Sequence, residues 1–352
     1  MLIACGGTGG HLFPGIAVAQ ALQADGHEPL LMISGKRVDQ TASEKYENLR
    51  FVKVEMMAKP RTFSLAMVKF VFRTFSTIAQ CKRLLKEEKI DAVLGMGGFT
   101  SYPPVVAAAK TGRRAYVHDS NVVPGRSNLL TAKKCTKVLV GLKEAASAFG
   151  DATVEVTGTP VRDELEELPT KEAARERFGL RQDRPVVLVM GGSQGARRVN
   201  ELVVEAAVLL PDVQFLHLTG EADFERVQDQ VGDRENYVTQ AFCDEMPLAY
   251  QAADFCVARS GASSLTELAH VGLPALLVPY PYAADDHQTA NAEVFEKAGA
   301  AILKQESELS AEGLKGILEG LDEEKVLEMG AKMREMSVPD AAERIAAVVL
   351  QK

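Results

Sequence analysis

Short apolar runs alternate with helical stretches along the whole chain. In the first half the runs that read as strands are Leu2–Cys5, Pro29–Ile33, Ala92–Leu94, Ala115–His118, Val138–Val140 and Val154–Thr157. In the second half they are Val186–Met190, Phe215–Leu218, Tyr237–Gln240, Phe255–Val257, Ala275–Val278 and Ala300–Leu303. Strands that are apolar throughout, separated by helices, indicate parallel sheets covered on both faces. The pattern also restarts. A charged stretch, Asp163–Arg184, reads as a linker and short helix, and Val186–Ala196 then repeats the opening of the chain, an apolar run followed by GGSQGA where Leu2–His11 ends in GGTGGH. A third copy, GMGGFTS, follows Val93 and Leu94. Two doubly wound α/β domains follow from this, 1–160 and 161–338, with a last helix in 339–352 left to pack back on one of them.

The length of 352 residues suits two domains, and 46% hydrophobic residues supply two cores. A formal net charge of −8 speaks against a nucleic-acid partner. Five scattered cysteines, none in a CxxC pair, fit a reducing compartment without structural zinc. No signal peptide and no apolar run of membrane-spanning length is expected.

The glycine turns carry the first chemical signal. Glycine lets backbone N–H groups approach a ligand, and the helix that follows favours an anion at its N-terminus. GGTGG, with Thr8, Gly9 and Gly10, and GGSQG, with Ser193, Gln194 and Gly195, are neither the dinucleotide fingerprint nor a Walker loop. Each is an anion cradle or a plain tight turn. His11 follows the first turn, at a strand edge where open α/β sheets take ligands, and histidine suits a general base at neutral pH. Its alternative role is a packed or capping residue. In HDSN (118–121), Asp119 and Asn121 sit at a second such edge, as base, imidazole orienter or Asx turn. Arg259, before Ser260-Gly261, is placed to grip phosphate, and Glu267 to accept ribose hydroxyls or to lie on a solvated helix face. Asp285, Asp286, His287, Gln288 and Asn291 are sugar readers or caps. No metal cluster and no DxD pair occurs, so no metal or other cofactor is expected and a diphosphate is left to dipoles, backbone and arginine.

Lys59–Lys89 departs from the acidic average, with eight basic residues against Glu87 and Glu88. Lys69 and Arg73 flank Phe70, Phe72 and Phe75. This is a docking face for an anionic membrane, or a well-buried helix with a basic outer side.

Taken in order, GGTGGHLFPGIAVA, GMGGF, HDSNVVPG, GTPVR (158–162), GGSQGA, RSGASSLTEL, GLPALLVPYP and DDHQTANA resemble, along the whole chain, the glycosyltransferase family 28 enzymes of peptidoglycan synthesis. The resemblance implies the GT-B fold, two Rossmann-like doubly wound domains facing across a cleft. It implies metal-free, inverting transfer of N-acetylglucosamine from UDP-N-acetylglucosamine to the muramoyl C4 hydroxyl of lipid I, at the cytoplasmic face of the plasma membrane. Wall-synthesis and division proteins are the implied partners. Residue by residue, it implies that Ser193 and Gln194 meet the diphosphate, that Arg162 contacts the donor and Glu267 the ribose, that Phe242 and Cys243 frame the uracil and that Gln288 reads the sugar. Gly9, Gly10 and His11 fall on the acceptor side, and Asn121 is a polar cleft residue. The family commonly has HEQN for HDSN and a glutamine pair for His287-Gln288, and His11 is the chosen base. The rival readings are a UDP-sugar epimerase, another glycolipid or antibiotic glycosyltransferase, a non-catalytic binding protein, and a dinucleotide oxidoreductase lacking its fingerprint.

Overall fold

The computed structural model describes residues 1–55, 65–192 and 195–351, without the side chains of Arg37, Val38, Leu65 and Ala66. Two compact units emerge, Met1–Arg162 with Val338–Lys352, and Asp163–Ser337.

In the first unit the strands are β1 (Leu2–Ala4), β2 (Leu30–Ile33), β3 (Arg50–Lys53), β4 (Ala92–Gly95), β5 (Arg114–Asp119), β6 (Lys137–Val140) and β7 (Val154–Val156). The helices between them are α1 (Gly9–Ala24), α2 (Arg37–Lys45), α3 (Leu65–Glu87), α4 (Gly98–Lys110) and α5 (Arg126–Ala132). Among the described residues the strands form one parallel sheet in the order β3-β2-β1-β4-β5-β6-β7. Its central strands are buried on both faces, which is why they read as unbroken apolar runs. β3 was not expected: its sequence, RFVK, is a charged edge strand with only two apolar residues, too short for a periodic signal.

The second unit contains α6 (Lys171–Arg177), β8 (Val186–Met190), α7 (Arg197–Val208), β9 (Gln214–Leu218), α8 (Phe224–Val231), β10 (Tyr237–Gln240), α9 (Met246–Ala252), β11 (Phe255–Ala258), α10 (Ala262–Val271), β12 (Ala275–Leu277), α11 (His287–Lys297), β13 (Ala301–Leu303), α12 (Ala311–Glu319) and α13 (Glu323–Glu335). Its described strands form a parallel sheet in the order β10-β9-β8-β11-β12-β13. Both sheets therefore start in the middle, wind outwards to one edge, return and wind to the other. The reversal lies between β1 and β4 in the first unit and between β8 and β11 in the second. Ligands of open α/β sheets bind at the carboxyl ends of the strands beside such a reversal.

A final helix, α14 (Ala341–Leu350), belongs to the first unit. Ile345, Ala346, Val348 and Val349 are buried in the core that holds Ile3, Leu12, Ile16, Leu22 and Leu31. The Arg114 guanidinium donates to the Val349 carbonyl at 3.1 Å, and a Cβ on Gly158 would fall 2.5 Å from that of Val338, so the returning chain is tied down closely. Among the described residues no helix is long and apolar enough to cross a membrane.

Candidate active site

The turn after β1 is built to be rigid. The buried Asp39 carboxylate accepts from Gly7 N–H at 3.0 and 3.1 Å and from Ser34 N–H at 2.8 Å. Thr100 Oγ1 donates to the Gly6 carbonyl at 2.7 Å, and Lys36 Nζ to the Gly7 carbonyl at 2.7 Å. A Cβ on Gly6 would lie 2.4 Å from Ser34 N, so glycine is required there. At Gly7 an internal carboxylate occupies the position that the anion-cradle reading gave to a ligand.

At the end of this turn Thr8 Oγ1 lies 3.0 Å from His11 Nδ1. The half-buried ring stands against the backbone of the turn after β4, where a Cβ on Gly97 would come within 2.8 Å of His11 Nε2 and one on Gly98 within 3.1 Å of Cε1. The two turns on either side of the reversal thus meet at this imidazole. Desolvation lowers its pKa below the ordinary value; the negative charge of Asp119 opposes this, and His118 and Lys36 add to it. A neutral imidazole at physiological pH is the form a base requires.

Gly9 and Gly10 form the first residues of α1. Asp119, at the end of β5, is fully engaged by its own loop: it accepts from Asn121 N–H at 3.1 Å, from Gly125 N–H at 2.8 Å and from Asn128 Nδ2 at 2.9 Å. This is Asx-turn chemistry, and it makes Asp119 an organiser of the loop rather than a proton acceptor. The Asn121 side chain reaches the same carboxylate at 3.4 Å. Arg162 lies in the first unit, its guanidinium 5.1 Å from the centre of the Phe13 ring, a cation–π arrangement.

In the second unit the turn after β8 closes on itself, a Cβ on Gly191 lying 2.4 Å from Ala196 N, and Gly195 has a φ of +73°. Ser193 and Gln194 lie outside the described residues. Across the reversal, Arg259 follows β11 and Gly261 caps α10. Arg259 is buried. It donates to the carbonyls of Val278 and Pro279 at 3.1 and 2.9 Å, pairs with Glu306 and lies 5.5 Å from the Tyr280 ring. These partners hold the guanidinium in place beside the turn after β11. Glu267, on α10, accepts a 2.6 Å bond from the Tyr250 hydroxyl and is half-buried. Gln288 Oε1 accepts from Tyr280 N–H at 2.9 Å, and the buried Asn291 donates to the Ser260 carbonyl at 3.2 Å, so α11 is tied to the turn after β11. Asp286 caps α11 with a positive φ, and His287 Nδ1 lies 2.8 Å from the Ala284 carbonyl. In the loop after β10, Phe242 is exposed and Cys243 buried.

The N-terminal half of α3 turns its surplus apolar residues outwards. Val68, Val71, Phe72 and Phe75 are exposed beside the exposed Lys69 and Arg73, and Arg73 pairs with Glu55 at 2.7 Å. Phe70 is half-buried, edge-to-face at 5.2 Å with the partly exposed Phe99. The C-terminal half buries Ile78, Cys81 and Leu85. Lys59, Arg61 and Phe63 lie outside the described residues.

Two doubly wound sheets in one chain, each with glycine turns flanking its reversal, make up the GT-B fold. The chain belongs to glycosyltransferase family 28: residues 1–140 match the family's N-terminal domain and residues 186–345 its C-terminal domain. It is 36% identical to the UDP-N-acetylglucosamine--N-acetylmuramyl-(pentapeptide) pyrophosphoryl-undecaprenol N-acetylglucosamine transferase of Bacillus subtilis (strain 168), over 99% of this chain and 98% of that one. The crystal structure of Acinetobacter baumannii MurG matches with a TM-score of 0.76 and 27% identity, covering 99% and 98% of the two chains. A UDP-GlcNAc 2-epimerase from Neisseria meningitidis bound to UDP-GlcNAc shares the fold at 16% identity, with a TM-score of 0.72 over 100% of both chains.

Proposed function

We propose that the chain transfers N-acetylglucosamine from UDP-N-acetylglucosamine to the C4 hydroxyl of the muramoyl sugar of undecaprenyl-pyrophosphate-linked MurNAc-pentapeptide. The product carries a β(1→4) linkage, formed with inversion. One observation carries the reading: the likeness to the Bacillus transferase runs through both units, at 36% identity over 99% of the chain.

In this reading His11 is the general base. Its Nδ1–H donates to Thr8 Oγ1, which leaves Nε2 unprotonated to take the proton of the acceptor hydroxyl as its oxygen attacks the anomeric carbon. The bond from that carbon to the UDP oxygen breaks in line, and the charge that grows on the diphosphate is met by the Gly191–Ala196 turn and the N-terminus of α7. Ser193 and Gln194 belong to this contact. Glu267 holds the ribose, Phe242 and Cys243 frame the uracil, Gln288 reads the sugar hydroxyls and Arg162 reaches the donor. The Gly9-Gly10 turn serves the acceptor, and Asn121 contributes to binding the UDP-sugar. The exposed aromatic residues of α3, with Lys69 and Arg73, dock the protein on anionic lipid at the cytoplasmic face of the plasma membrane, where the acceptor lies and where wall-synthesis and division proteins work.

The test is transfer of radiolabelled N-acetylglucosamine from the UDP-sugar to a short-chain analogue of the lipid acceptor, with EDTA present. Label in the lipid product supports the reaction without a metal. UDP binding without transfer would retain the donor site and discard the acceptor, and a 2-epimerase assay then becomes the next measurement.

A further inference from the structure

Within the second unit lies a buried polar chain that the reaction above does not use. His217, on β9, is fully buried, with Nδ1 2.7 Å from the Tyr237 hydroxyl and Nε2 3.0 Å from Asn200 Oδ1. Asn200 Nδ2 donates to the Thr219 carbonyl and to Asp223 Oδ2, both at 2.9 Å. Those two partners only accept, which fixes the orientation of the amide. Asn200 Oδ1 must then accept from His217, so Nε2 carries the hydrogen and Nδ1 accepts from Tyr237. Every donor points the same way, from β10 through β9 to the first turn of α7. Burial drives the His217 pKa down to about 3, so the ring stays neutral and the direction of the chain is not reversed by a second proton.

The chain ends under the glycine turn. A Cβ on Gly195 would lie 2.6 Å from the Thr219 carbonyl oxygen, the atom that Asn200 grips. Asn200 N–H donates to the Ala196 carbonyl at 2.9 Å. One side chain therefore links the end of β9, the last residues of the turn and the start of α7.

We infer that Asn200 and His217 are positioning residues for a nucleoside-diphosphate donor, holding the Gly195-Ala196 backbone and the α7 N-terminus where the diphosphate is received. The inference rests on the reading that the donor binds at this turn. Neither side chain touches the ligand; both act through the seat of the turn.

The experiment uses the full chain with His217→Leu and His217→Gln. Glutamine can accept at one atom and donate at the other, as the neutral imidazole does, whereas leucine can do neither. UDP affinity is read by calorimetry, and transfer is measured with donor and acceptor varied separately. The expected result for His217→Leu is UDP binding and a donor KM each weakened about tenfold, the usual scale for a broken buried hydrogen bond, with acceptor KM unchanged. His217→Gln should restore both to within about threefold of the parent, a loss of well under one such bond. Should the leucine variant not fold, Asn200→Ser, which leaves the imidazole in place, is read in the same way. A folded leucine or serine variant with parental UDP affinity overturns the inference, as does an equal loss on the donor and acceptor sides. Parent protein that binds no UDP overturns both the inference and the donor reading beneath it.

Discussion

The imidazole of His11 packs against Gly97 so closely that a Cβ there would stand 2.8 Å from Nε2. That is closer than a methyl carbon can lie to a ring nitrogen, so the turn after β4 and the imidazole can share this space only because residue 97 is glycine. Gly97→Ala fills that space at a backbone φ of +110°. The expected cost is about 1–3 kcal/mol of stability from strain. The expected loss in kcat is about tenfold or more, since the methyl pushes the imidazole of the base out of position, with UDP affinity retained. Thermal melts, calorimetry and steady-state kinetics separate the three effects.

His11→Ala should lower kcat by about a hundredfold or more, the usual scale of general-base catalysis, while UDP still binds. The pH profile of the parent follows from the direction of the shift. A base must be neutral, and desolvation keeps the His11 pKa below its ordinary 6.5, so the acid limb of kcat/KM should fall below pH 6.5. An acid limb above that value would assign it to another group.

Arg259→Lys tests whether that arginine is structural. Lysine loses the fork that spans the Val278 and Pro279 carbonyls and Glu306. Breaking a buried, hydrogen-bonded ion pair is expected to cost about 3–5 kcal/mol, an upper figure here because the lysine keeps its charge. A drop in the melting temperature of the second unit should accompany any loss of donor binding. Donor binding lost at unchanged stability would return Arg259 to the phosphate.

Phe72→Ser with Phe75→Ser should weaken binding to anionic vesicles without lowering the melting temperature, because both rings are exposed. Lys69→Glu with Arg73→Glu should weaken it as well, and the loss should shrink as salt is raised. Equal binding by parent and variants at low salt would remove the docking role of α3.

The His217 pKa of about 3 has a consequence for stability. Its folded value lies below the ordinary 6.5, so the unfolded chain takes up the proton first. The stability associated with the neutral ring is whole above pH 6.5 and declines as pH falls from 6.5 towards 3. The slope approaches about 1.4 kcal/mol per pH unit at most. Denaturant titrations of the parent and of His217→Gln between pH 7 and 4.5 should diverge by that slope, and parallel curves would show the ring does not titrate as placed.

Much of this architecture is legible in the sequence because β1, β4, β8 and β11 are apolar on both faces and each runs into a turn that holds glycine. The family motifs lie on those turns, which is why the fold and His11 could be read early. What stayed hidden depends on partners far away in sequence. Asp39 reveals its hold on Gly7 only when α2 is brought beside β1, and Arg259 its pairing with Glu306 only when that residue arrives from beyond β13. His217 and Asn200 are separated by a helix and a loop, and no periodicity marks a histidine inside an apolar strand. Phe70 and Phe72 carry the same side chain two residues apart, and only the packing of α3 on α4 tells the half-buried ring from the exposed one.

The chain passes between the units twice, near residue 162 and again near residue 337, because α14 completes the core that β1 begins. On the ribosome this places the order of synthesis at odds with the order of completion. The unit carrying His11 is made first, yet it lacks one wall of its core until the whole of the second unit has emerged. The second unit has all its strands in one continuous stretch and can close as soon as it is made. A nascent chain therefore holds an unfinished first unit, with Ile3, Leu12 and Ile16 uncovered, for as long as the second takes to be translated.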